Sequence, residues 1–302
     1  MSSVEAPTTP AVSNRERFRL ELSPCQEWFT AYWASFLVLD IPATFCPRSL
    51  GALIWKTSNT VFTVTCLVYN WIDTDTPSFY LAYWSHLTLL LNALYTILSC
   101  CNTYFPVPQP GSDHRLGWRL KLTWAIFVLV SHASVVVTIF YWIAVWSPGE
   151  PVAFPNLTTH GVTMVTCLVD GLLVNRIPLK IHHWICLIVP YDLTYLIWSL
   201  IHAAAGIGNP NEDIEDLDEA DEAIYTSLNW SKDPGTAAIY VVLVILVMGP
   251  IIFMTQWYLG TNGCCCCPKN RLRFLSTSSS SDVNKDHQDE DNPPSSTSVT
   301  TY

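Results

Sequence analysis

Along residues 157–177, His160, Thr163, Cys167 and Asp170 recur at offsets of 0, 3, 7 and 10. On a helix turning ~100° per residue these four share one stripe roughly 80° wide. The stretch is otherwise apolar. An ionisable group in such a setting costs several kcal/mol unless it is paired or faces water, so each is a candidate site by default. At 1.5 Å of rise per residue, Asp170 lies about 15 Å from His160, too far for a direct bond. They therefore read as two separate polar positions on one inward face. For Asp170 the plainer reading is an interhelical hydrogen bond to a Ser, Thr or Tyr on a neighbour. Other apolar stretches hold His86 and Asn92, His132, and Asp192 with His202. Isolated intramembrane acids of this kind are also what ion or proton passage would use.

Other chemistries find no support in the spacing. No His/Cys/Asp/Glu pattern matches a metal-site template, so no metal and no cofactor is expected. There is no Gly-rich phosphate loop and no Gly-x-Ser-x-Gly elbow. No span-length internal repeat or pair of broken helices points to a transporter.

The elements that must position these residues are membrane spans. A spanning helix needs roughly 20 mostly apolar residues. Six stretches qualify, at about 50–72, 79–101, 122–146, 157–177, 181–207 and 236–259. The expected fold is an all-α polytopic bundle, residues 50–260. Lys56, in the first turns of the first span, is expected to snorkel to the surface. Arg176, Lys180, His182 and His183 flank a short turn and are expected among headgroups, as a topology signal or an anionic-lipid contact. Residues 28–39 are apolar but too short to span and read as an interfacial helix within the N-terminal segment 1–49.

Composition agrees. Half of the 302 residues are hydrophobic and 13% are charged, against about 25% in soluble domains, and the mean hydropathy is +0.27. The net charge of −10 is concentrated. Residues 212–222 carry eight acids and no base, and 276–302 carry five acids against Lys285. A nucleic-acid partner, which would require a basic patch, is not expected. The bases are one-sided: with six spans, Arg15, Arg17, Arg19, Arg48, Arg115, Arg119, Lys121, Arg176, Lys180, Lys269, Arg271, Arg273 and Lys285 share one side, and Lys232 stands on the other. The positive-inside rule puts both termini in the cytosol. The sequons at Asn156 and Asn229 then fall outside, where glycosylation occurs. The acidic segment 206–234 becomes an extracytoplasmic loop, expected to be extended and solvated.

Cys264, Cys265, Cys266 and Cys267 follow the last span, next to Lys269, Arg271 and Arg273. Juxtamembrane cytosolic cysteines beside a basic cluster read as palmitoylation sites. Metal binding and unmodified thiols are the alternatives, and four adjacent cysteines wrap one tetrahedral ion poorly. The remainder of the tail 261–302 is too polar to bury a core and is expected to be disordered. Its end, Thr300-Thr301-Tyr302, could feed a cytosolic groove-binding partner.

Several motifs together resemble one family. His160-Gly161 with Asp170, then Arg176-x-Pro178 and His183, are similar to the fourth-span signature of rolling stone-like proteins. Tyr195, Gly206, the run Ile224-Tyr225-Thr226-Ser227-Leu228-Asn229-Trp230 and Pro234-Gly235 fit as well, although the family usually has Asp where Asn229 stands. The resemblance implies a multi-pass protein of the plasma membrane, rather than the endoplasmic reticulum, acting in cell–cell contact or myoblast fusion without catalysis. The pattern is more distantly similar to the androgen-induced intramembrane hydrolases, which cleave fatty acid esters of hydroxy fatty acids with a threonine and a histidine. His160 falls on the histidine. The threonine position is Ala82, in Tyr80-Leu81-Ala82-Tyr83-Trp84, and a methyl group cannot attack an ester. The alternative function is thus a lipid hydrolase with His160 as base, Ser85 as substitute nucleophile and an acyl lipid between the spans.

Overall fold

The computed structural model describes residues 50–74, 76–105, 118–146, 152–175, 177–208 and 223–262. The interfacial segment 28–39, the acids of 212–222, Arg176, Cys264–Cys267 and the C-terminal tail lie outside the described residues. Among the described residues the chain is all helical, with no strand. Six long helices follow in order: α1 (Leu50–Asp73), α2 (Trp84–Tyr104), α3 (Trp118–Val145), α4 (Phe154–Val174), α5 (Ile181–Ala204) and α6 (Pro234–Gly260). Helix α2 is entered through a 3₁₀ turn, Pro77–Ala82.

Five of these helices, α2 to α6, are long and apolar enough to cross a membrane. In hydrocarbon every backbone N–H and C=O must be paired within its own segment, which is why continuous apolar sequence takes this form. The chain is an integral membrane protein, and its surroundings are a lipid bilayer. Helix α1 has the length, 24 residues, but is less apolar. The reason lies on one face: Lys56, Asn59, Thr63 and Asn70 are buried, whereas Ile54, Val61, Val68 and Ile72 are exposed. This is the inverse of a water-soluble helix.

Boundaries differ from the hydropathy estimate by a few residues. The second helix starts at Trp84 rather than near residue 79, because Pro77 and the residues after it form the 3₁₀ turn. The sixth starts at Pro234, where the Asp233 carboxylate accepts a hydrogen bond from Thr236 N at 3.0 Å. That cap satisfies an otherwise unpaired N–H, and Pro at the first turn loses nothing. Helix α5 stops at Gly206, whose φ of +60° suits a residue without Cβ. Ile207 N bonds to His202 O and Gly206 N to Ala203 O, the paired bonds of a Schellman end.

Helix α3 is the hub, packing against α2, α4, the start of α5 and α6. Its Trp124, Phe127, Val128 and Val130 are fully buried in a core completed by Tyr95, Cys167, Ile188 and Phe253. At Gly171 in α4 a Cβ would sit 1.8 Å from the Phe127 ring, so only glycine permits the α3–α4 approach. Short π-helical stretches interrupt four of the helices, at Tyr141–Val145, Thr158–Val162, Val169–Val174, Trp184–Ile188 and Leu243–Met248. Such stretches often accompany functional residues. Here two of them carry His160 and Asp170.

Candidate functional site

Asp170 sits at the centre of a buried polar network contributed by three helices. Its Oδ1 accepts from Trp55 Nε1 at 3.0 Å and lies 3.3 Å from Lys56 Nζ, both on α1. Its Oδ2 accepts from Tyr95 Oη at 2.7 Å, Ser99 Oγ at 3.0 Å and Asn175 Nδ2 at 2.9 Å. Lys56 Nζ also donates to Asn175 Oδ1 at 2.6 Å and to Ser99 Oγ at 2.5 Å. Asp170 and Lys56 are 1% and 2% exposed. The expected hydrogen bonds from Ser and Tyr are therefore present. Lys56 does not snorkel: the expectation is corrected, because the Asp170 charge and two further acceptors hold its ammonium in the interior. Every polar atom at the centre of this cluster has a partner, which is what makes a buried charge pair tolerable. The arrangement ties α1, α2 and α4 together and offers no free group for chemistry.

His160 belongs to a different place, as the 15 Å separation requires. It lines a cavity of about 70 Å³ together with Ser85, Asp192, Tyr225 and mainly aromatic and aliphatic side chains. Its ring stacks flat on Tyr141, with centroids 3.7 Å apart, and its carbonyl accepts from Trp142 Nε1 at 2.7 Å. His160 Nδ1 is buried and has no hydrogen-bond partner. Ser85, in the first turn of α2, is engaged by Tyr225 rather than by His160. Tyr225 Oη also accepts from Trp84 N at 3.1 Å. Burial pushes the Tyr225 hydroxyl above its usual pKa, against the lowering effect of Ser85 and Trp84, so it stays protonated at neutral pH.

Asp192 is 3% exposed, and among the described residues neither of its carboxylate oxygens has a hydrogen-bond donor. Its nearest counter-group is His132 on α3, Nε2 to Oδ2 at 3.6 Å. His132 is equally buried, and both of its nitrogens also lack hydrogen bonds. His86 points elsewhere: its Nδ1 meets Tyr80 O at 3.0 Å and its ring stacks on Tyr80. His202 is buried against Phe79 and Trp198. His183, expected among headgroups, is buried: its Nδ1 accepts from Lys180 N and its ring meets Trp124 edge-on.

A second, wider concavity adjoins the first. Ala82, Leu81, Phe79, Tyr191, Trp198 and His202 help line a cleft of about 490 Å³ between the start of α2 and α5. Tyr195 contributes to both concavities, and its hydroxyl donates to Ala82 O at 3.0 Å. Ala82 thus borders the cleft and Ser85 borders the His160 cavity.

The end of the acidic loop is not an extended solvated chain. Ala223 and Ile224 are buried, and Trp230 Nε1 donates to Ser199 Oγ at 3.2 Å, packing residues 223–230 onto α5. Asn229 is also buried, its Oδ1 accepting from Lys232 N at 2.9 Å. Asn156, the other sequon asparagine, is half-buried at the start of α4. Sequence reasoning assigned no role to Trp55, Asn175 and Tyr225. Trp55 and Asn175 carry only their polar atoms within apolar spans and Tyr225 only its place in the run 224–230, and pairing them required the helix registers.

No protein-family model, no curated protein and no solved structure matches the chain.

Proposed function

We propose that this chain is a six-span plasma-membrane protein with both termini in the cytosol, resembling rolling stone-like proteins, which binds a single-chain lipid and acts in cell–cell contact or membrane fusion without catalysis. The observation that carries the lipid-binding part is the 490 Å³ cleft at the entrance of α2. Its volume falls within the range of ligand pockets, roughly 300–1,000 Å³, and its walls are chiefly apolar and aromatic. The sixth span is α1, whose outward face is aliphatic. Orientation is supported by the thirteen bases gathered on one side against Lys232 on the other. Non-catalytic action is supported by Ala82, which has no hydroxyl and borders the cleft rather than the His160 cavity. Palmitoylation of Cys264–Cys267, a cytosolic partner for the tail and glycosylation at the Asn156 and Asn229 sequons belong to the same reading.

A photoactivatable fatty-acyl probe on the purified protein should label peptides of α5, and Ala82→Trp, which fills the cleft, should abolish that labelling. Labelling confined to lipid-facing residues and indifferent to Ala82→Trp would remove the lipid part. Normal fusion and adhesion in cells lacking the protein would remove the cellular part.

One observation favours the hydrolase alternative: Ser85 and His160 border the same cavity. A fluorophosphonate should then label the protein, with labelling lost in both Ser85→Ala and His160→Ala. An unlabelled protein without esterase activity leaves the non-catalytic reading standing.

A further inference from the structure

The narrow cavity carries a signature that neither the cleft nor the hydrolase reading uses. Its walls include six aromatic rings, Trp84, Phe140, Tyr141, Tyr195, Tyr225 and Tyr240, and one acid, Asp192. Among the described residues neither Lys nor Arg lines it. The rings fall into groups: Trp84 stacks on Tyr195 at 5.1 Å, and Phe140 meets Tyr240 at 5.8 Å and Tyr225 at 6.4 Å, both edge-on.

Asp192 is the feature that needs an explanation. It is as deeply buried as Asp170, yet both of its oxygens lack a donor. A carboxylate left so in a low-dielectric interior is costly unless a partner arrives. His132 Nε2, at 3.6 Å, is beyond good hydrogen-bonding distance and leaves Oδ1 untouched. Aromatic faces attract cations, and a box of rings with one carboxylate is the arrangement that recognises alkylated ammonium groups.

We propose that this cavity binds the ammonium group of an alkylamine, with Asp192 as counter-charge and the six rings as cage. Size and charge narrow the class. A volume of about 70 Å³ has room for roughly five waters, enough for an ammonium head group and not for a long chain. The chain then lies along the adjoining cleft past Tyr195, the wall the two concavities share, so this part of the inference rests on the lipid-binding reading. A phosphocholine head is disfavoured, because no Lys or Arg is present to balance its phosphate. The ligand is a singly charged amine, not a zwitterionic phospholipid.

The test uses the full-length protein in dodecyl maltoside, which carries no ammonium group, titrated with octyltrimethylammonium, octanol, tetramethylammonium and lysophosphatidylcholine. Binding is followed by calorimetry against empty micelles. Octyltrimethylammonium should bind at least tenfold more tightly than octanol or lysophosphatidylcholine. Asp192→Asn should remove that preference, and Tyr240→Leu should weaken the cation about threefold while leaving octanol unchanged. Asp192→Asn keeps the side chain's size and removes no hydrogen bond, so loss of folding is not expected. Tetramethylammonium binding as tightly as the octyl compound would support the cage and assign it a soluble cation. Equal binding of octanol and octyltrimethylammonium would overturn the cation site while leaving the lipid cleft intact. Binding of neither would overturn both.

Discussion

Two aspartates, both nearly inaccessible, are treated in opposite ways by the same bundle. Asp170 receives donors from Trp55, Tyr95, Ser99 and Asn175 and the charge of Lys56. Asp192 receives no hydrogen bond and stands 3.6 Å from His132 beside a cavity. A buried carboxylate that is fully partnered serves as a tie between helices. One that is left unpartnered where a cavity opens retains its capacity to bind something. The two regions thus separate what holds this protein together from what it has available for a ligand.

The largest effect is expected at Lys56. Lys56→Met or Asp170→Ala each strands a buried partner and should cost about 3–5 kcal/mol, seen as a large fall in the thermal midpoint in detergent. The double variant Lys56→Met with Asp170→Asn should recover much of the loss. Wild-type midpoints in both single variants would show that the network is not a structural tie.

Gly171→Ala comes next. The added methyl would overlap Phe127 beside Asp170, and overpacking of this kind costs about 1–3 kcal/mol. Phe127→Leu in the same chain should restore part of it, because the ring is what the methyl meets.

Asp192→Asn should shift stability by about 1 kcal/mol or less, since it keeps the side chain's size and removes no hydrogen bond, only the 3.6 Å contact with His132. A loss as large as that of Asp170→Ala would erase the distinction between the two sites.

The smallest effect belongs to Asp233, an acid outside the membrane. Hydrogen bonds from Thr236 hold its carboxyl below the ordinary carboxylate value. A depressed folded-state pKa contributes stability above the unfolded value, near 4, and that contribution is lost as the pH falls through the folded value. The thermal midpoint should therefore dip slightly on acidification below pH 4, and Asp233→Ala should remove that part of the dip.

Much of the frame was legible in the sequence, and for identifiable reasons. Uncharged stretches of about 20 residues announce helices whatever their neighbours are, and the 3.6-residue repeat put His160, Thr163, Cys167 and Asp170 on one inward face, where all four are buried. The same periodicity could not say what Asp170 meets. Lys56 was misread because a lysine near a helix end can reach outward or inward, and the choice depends on whether an acid lies across the bundle. The sequon at Asn229 is a local pattern, whereas the burial of its asparagine comes from the packing of 223–230 against α5. Tyr225 lies 140 residues from Ser85, so its hydrogen bond has no local trace.

By itself the sequence determined that this protein lives in a bilayer as a helical bundle, since hydropathy and backbone pairing act within each segment. It also determined that His160 and Asp170 occupy separate depths, because helical rise is fixed. The tertiary structure alone sets which carboxylate is filled with hydrogen bonds and which has none. Partnering depends on the rotation and offset of helices far apart in the chain, and the packing at Gly171, Phe127 and Tyr195 sets those.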